Sequence, residues 1–235
     1  MEIRCVWEHN GNDSILYAER LVGAYTRGRT PEEAVRKMHA EVKSYLKWKG
    51  ASLAEPFEVE IVQEKNSDLT ISDADSDVIF EREREPLDLA EYLELKELAV
   101  KSAQDFLTLY QAVPDKNASC LPPRVTFYGP VPRTASEMYE HTKNVNAYYF
   151  GEIGVDADNE GSIVTCRKRG FERLEQKPDF LATGVCAGSY DEEWSLRKML
   201  RRFVWHDRIH ARAMYRMAEK TFGPGEVPNV FCFEK

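Results

Sequence analysis

One stretch constrains the fold more than any other: Trp194 to Thr221, WSLRKMLRRFVWHDRIHARAMYRMAEKT, holds neither Pro nor Gly. It is rich in Leu, Met, Ala, Arg and Lys and stops before Gly223-Pro224, so it predicts one long helix. At about 100° per residue, Leu196, Met199, Phe203, Met214 and Met217 form an apolar stripe, and His206 and His210 fall on it. Arg197, Arg201, Arg208, Arg212 and Arg216 cover another face, expected to be a solvated surface in so acidic a chain. Imidazoles four residues apart on a helix point the same way. The plain account is two core histidines, each bonded to a carbonyl or carboxylate. The chemical account is two corners of a metal site, and it needs a third ligand from elsewhere.

The 235 residues, 43% hydrophobic and 11% aromatic, suffice for one large domain or two small ones. A formal net charge of −8 argues against a general grip on nucleic acid or an anionic membrane. No apolar run is long enough to span a bilayer, and Met1-Glu2-Ile3-Arg4 does not open a signal peptide. The expectation is a cytoplasmic protein. Cys5, Cys120, Cys166, Cys186 and Cys232 are odd in number and lack CxxC spacing, so they read as reduced thiols.

Residues 1–63 predict a small α/β unit. Glu2 to Glu8 and Ser14 to Ala18 are rich in strand formers, with a polar turn between them. Leu21 to Tyr25 suggests a third strand. Thr30-Pro31-Glu32-Glu33 is a helix start: a cap, a proline in the first turn and a capping-box glutamate. That helix runs to about Trp48, Gly50 is a stop, and Phe57 to Val62 alternates as a further strand. This order, with GAYTRGRTPEEAVRKMHAEVKSYLKW, resembles the HicB-like fold of antitoxin N-terminal domains. The resemblance implies a binding or dimerisation module, and hence a homodimer as one outcome, without catalysis of its own. His9 and His39 read as ordinary surface residues.

Residues 64–86 shift to EKNSDLTISDADSDVIFEREREP, an acidic linker with Val78-Ile79-Phe80 as a docking point. Asp73, Asp75 and Asp77 do not make a calcium loop. Val78 stands where Gly is needed and Arg84 where a bidentate Glu belongs.

Residues 87–235 carry four helical patterns: Leu87 to Val113, a segment capped by Thr134-Ala135-Ser136-Glu137 and ending at Gly154, one within Ser162 to Gln176, and the long stretch above. Four such segments predict an all-α four-helix bundle. His141 lies on the second, on a face with Met138, Val145 and Tyr148, and would complete a three-histidine set with His206 and His210. Here TASEMYEHTKNVNAYYFGEIG and LRRFVWHDRIHARAMYR resemble the DinB-like (YfiT-like) family of metal-binding four-helix bundles. In that family one histidine of the second helix and an HxxxH pair of the fourth bind a divalent ion. The resemblance implies the same role for His141, His206 and His210.

Three imidazoles leave an ion with an open position, which favours chemistry over pure scaffolding. Zinc or nickel suits imidazole best, with iron or manganese acceptable. Asp207 and Glu137 are candidates for an imidazole-orienting carboxylate or a base, against the plain alternative of surface carboxylates. Tyr148 and Trp205 could line the pocket, though such residues are more often core. The expected function is a metal-dependent transferase or hydrolase using water or a low-molecular-weight thiol on a small-molecule substrate. The alternative is a non-enzymatic, metal-stabilised bundle with an interaction module.

Overall fold

The computed structural model describes residues 2–52, 56–126 and 129–234. Strands β1 (Glu2–Asn10), β2 (Asp13–Ala18), β3 (Tyr25–Gly28) and β4 (Glu58–Asn66) form a sheet ordered β3-β2-β1-β4. β1 and β4 run parallel and the other pairs antiparallel. The third strand begins where it was expected to end. The residues before it are spent on a tight turn, in which the Ala24 amide bonds the Leu21 carbonyl at 2.8 Å. That turn presses on the last helix: a Cβ on Gly23, whose φ is +94°, would meet Val204 at 2.4 Å. Helix α1 (Pro31–Lys49) starts as its residues dictate. The Thr30 hydroxyl accepts from the Glu33 amide at 3.3 Å, and the Glu33 carboxylate accepts from the Arg29 amide at 2.9 Å.

Alternation along the strands sends side chains to two faces. Ile3, Cys5, Leu16 and Ala18 share an apolar cluster with Ala34, Met38, Val42 and Tyr45 of α1. Val6, Ile15 and Tyr17 belong to a second cluster with Ile71, Val78, Phe80 and Trp205. Residues 64–86 are thus more than a solvated connection. They finish β4 and then seal this face, and Val78 to Phe80 dock as their apolar character suggested. The Glu8 carboxylate is buried beneath them and accepts from the Ser76 hydroxyl at 2.6 Å and the Asp77 amide at 3.1 Å.

The remaining helices are α2 (Leu89–Ala112), α3 (Ala135–Glu152), α4 (Ile163–Glu175) and α5 (Leu196–Phe222). Gly170 does not interrupt α4. A Cβ there would meet the Phe150 ring at 2.1 Å, so its absence lets α4 pack closely on α3. No helix among the described residues is long and apolar enough to cross a membrane.

The all-α, DinB-like four-helix bundle expected after residue 86 is not what forms. The chain is α+β: the described residues form five helices, the mixed four-stranded sheet and two more small antiparallel sheets. These last are β5 (Val125–Thr126) with β6 (Gly129–Pro130), and β7 (Cys186–Ala187) with β8 (Glu193–Trp194). The physical reason lies in α5. A helix on the outside of a domain turns one face to water, but every residue from Trp194 to Arg208 is buried. Helices α2 and α3 cover one side of it. The N-terminal unit covers another, with Trp205 meeting Tyr17 at a ring distance of 5.8 Å.

The basic face of α5 is correspondingly not a solvated surface. Arg197 pairs with Glu91 and Arg212 with Glu41; Arg201 Nε meets Glu83 at 2.5 Å and Arg208 Nη2 meets Glu41 at 2.9 Å. Arg216 alone of the five is exposed.

Candidate metal centre

α3 and α5 bring the three histidines together. His206 and His210 lie one turn apart on α5, and their ring centroids are 4.4 Å apart. His141 reaches them from α3, at 5.2 Å from His206 and 4.6 Å from His210. One ring nitrogen from each residue lies within 4.8 Å of the other two, so the three can hold one metal ion. His206 is buried, His210 half-buried and His141 exposed to the adjoining cavity.

Electrostatics favour the ligating form. Burial holds the His206 pKa well below the usual imidazole value, with the neighbouring histidines adding to the effect. Burial, then His141, lowers His210 to about 3. Enough protein surrounds His141 to lower its pKa as well. All three rings are therefore neutral at pH 7, with a lone pair to offer. The Nδ1 of His206 is buried and has no hydrogen-bond partner among the described residues. A buried polar atom without a partner costs stability, and it belongs to one of the three rings that can hold a cation.

The carboxylates singled out in the sequence serve other ends. Glu137 completes the capping box of α3: its carboxylate accepts from the Thr134 amide at 3.0 Å and the Arg133 amide at 2.8 Å. Those amides lower its pKa. Asp207 is fully buried and bonds away from the histidines. It takes two bonds of 3.1 Å from Arg167 and one of 2.5 Å from the Ser102 hydroxyl. Neither has a hydrogen bond to a histidine among the described residues. Trp205 is core, packed against Tyr17. Tyr148 does line the cavity beside the rings.

That cavity, about 1100 Å³, lies between α3, α5, β3, the Ser72–Asp77 segment and the loop around Pro130 to Arg133. The histidines form part of its wall. Residues that sequence reasoning passed over complete it. Tyr149 packs its ring 5.9 Å from His206, and Arg202 precedes His206 by one turn. The spacing Arg202, His206, His210 is i, i+4, i+8 on one helical face, a signal present in the sequence. No protein-family model, no curated protein and no solved structure matches the chain.

Proposed function

We propose that the chain is a divalent-metal-dependent transferase or hydrolase that uses water or a small thiol at His141, His206 and His210. The observation that carries this reading is a set of three neutral imidazoles on the wall of a large cavity, with no carboxylate or thiol completing the set among the described residues. Closed structural zinc sites take four protein ligands, whereas catalytic sites keep a position free. Zinc or nickel suits this donor set best, with iron or manganese acceptable. When bound, the ion would act as a Lewis acid on a donor atom held at the free position.

The chain's own groups supply the surroundings. Burial of His206 and His210 holds their rings neutral. Burial also pushes the Tyr148 phenol up, with Glu152 and Glu192 adding to it. Its hydroxyl therefore stays protonated and can donate a hydrogen bond to a substrate. The ligand pattern resembles that of the DinB-like family, some of whose members are thiol-dependent transferases, and this resemblance supports a thiol as co-substrate.

Elemental analysis of the purified protein, paired with a screen of thiol-plus-electrophile and hydrolytic reactions with and without chelator, tests the reading. The expected result is one equivalent of metal and a turnover that chelation abolishes. His210→Ala should lose metal and turnover together; a full equivalent of metal in that variant sinks the three-ligand model. Bound metal with no turnover in any reaction would favour the alternative, a metal-stabilised protein whose N-terminal unit binds a partner or dimerises.

A further inference from the structure

Arg202 is more than nine-tenths buried, lines the cavity that holds the histidines, and has no carboxylate in contact among the described residues. None of these lies within 4.0 Å of its guanidinium, which donates from Nη1 to the Ser76 carbonyl at 2.6 Å and also bonds the Tyr149 hydroxyl. The other buried arginines behave differently. Arg167, Arg197, Arg201 and Arg208 each have a carboxylate in contact. An unused nitrogen does not distinguish Arg202, because those four leave one too. The missing anion does. A buried charge without a partner is strongly unfavourable.

The acidic groups nearest in effect are already engaged. Glu192 pairs with Lys198 at 2.9 Å. Glu8 accepts from Ser76, Asp77 and Val78. In place of a carboxylate, the guanidinium sits among aromatic rings: Tyr149 at 5.4 Å, Trp194 at 5.6 Å and Trp205 at 5.1 Å. Such rings attract a cation and fix its orientation but do not neutralise it. Tyr149 also packs 5.9 Å from His206, so one ring borders both the guanidinium and the ligand cluster. Side chains at i and i+4 of a helix stand about 6 Å apart.

We propose that Arg202 is the anchor for a carboxylate of the substrate, so that the site takes small organic acids whose second donor group reaches the histidines. The inference rests on the metal-site reading above. A single guanidinium matches a single negative charge, and its planar fork pairs with a planar carboxylate. A phosphate dianion would bring a second charge that the one guanidinium does not match. The span of about one helical turn suits an acid with its second donor two or three carbons away.

Cobalt(II)-loaded full-length protein supplies the test, with 3-mercaptopropionate and its methyl ester as probes and the thiolate-to-cobalt absorption band as the readout. The wild type is expected to bind the acid at least about ten-fold more tightly than the ester, the loss of roughly one charge-assisted bond. Arg202→Gln should abolish that preference while retaining cobalt and binding the ester as the wild type does. Arg202→Lys should keep part of it. Equal binding of acid and ester by cobalt-loaded wild type overturns this inference alone and needs no variant that folds. Failure to take up cobalt overturns the metal reading and this inference with it. Displacement of the acid by inorganic phosphate more readily than by acetate overturns the carboxylate assignment.

Discussion

Helix α5 buries polar side chains on two faces and treats them in opposite ways. On one, Arg197, Arg201, Arg208 and Arg212 meet Glu91, Glu83 and Glu41, carboxylates supplied by the rest of the chain. On the other, His206 and His210 meet a third imidazole, His141, beside an open cavity and with no carboxylate in contact among the described residues. Both arrangements take polar groups out of water, which is costly unless each finds a partner. On the arginine face each guanidinium has a carboxylate of the protein in contact. The histidine face opens on the cavity, where the three rings could hold an ion. The difference separates what holds the fold from what the fold presents.

The comparison breaks most readily at Glu41, the carboxylate shared by Arg208 and Arg212. Glu41→Leu leaves two guanidinium groups facing a hydrocarbon, and losing one partner of a buried pair costs ~3–5 kcal/mol. Denaturant unfolding should record that loss, while metal stoichiometry stays at the wild-type value. A loss below ~1 kcal/mol, the scale of an exposed pair, would mean this face is not closed at all. The double change Arg167→Met with Asp207→Leu sharpens the point. Removing both members of a buried pair together should cost far less than Asp207→Leu alone.

The histidine face should answer to added metal instead. Free metal at a hundred times its dissociation constant stabilises the folded state by about 2.7 kcal/mol. Thermal unfolding of chelated protein titrated with zinc should rise accordingly, and His206→Ala should remove the rise. A rise that survives in that variant would place the ion elsewhere.

These two faces were not equally legible beforehand. The histidines could be read because the clue is short-range: a pair at i, i+4 on an apolar stripe, with His141 on a capped helix. The caps were legible for the same reason, since Thr30, Glu33, Thr134 and Glu137 bond within four residues of themselves. The arginine face was misread as solvated because its partners come from far along the chain. Glu91 is 106 residues from Arg197, Glu83 is 118 from Arg201, and Glu41 is 167 from Arg208. Net charge says nothing about which carboxylate meets which arginine. The two-residue strands of β5 to β8 left no periodicity to detect, and with them went the all-α expectation. Arg202 carried a local signal, one turn before His206, hidden by its place among so many other basic residues.

A pH-dependent effect follows from proton linkage in the metal-free protein. Folding lowers the His210 pKa from an unfolded value of about 6.5 to about 3. Between those values the unfolded chain binds a proton that the folded one refuses. Stability is therefore fully present above about 6.5 and declines as pH falls toward 3. Chelated wild type should show a falling melting temperature as pH drops from about 6.5, and His210→Asn a shallower fall. Identical slopes would mean that the ring is already charged in the folded state.

The smallest expected effect concerns Glu137, where the two kinds of role can be told apart on one residue. Its carboxylate bonds the amides of Arg133 and Thr134, while the Thr134 hydroxyl accepts from its own amide at 3.2 Å. This reciprocal cap fixes the start of the helix that carries His141 two turns later. Thr134→Ala should cost about 1 kcal/mol, the usual value of an N-cap. Glu137→Gln keeps the hydrogen-bonding shape of a capping box and should leave both metal content and turnover unchanged. If Glu137 were instead the base, the amide would fail as a proton acceptor, and turnover would fall by roughly 10²–10⁴-fold with stability intact. Measuring the melting temperature and the rate on the same two variants separates these outcomes, because the cap moves only the first and a base only the second.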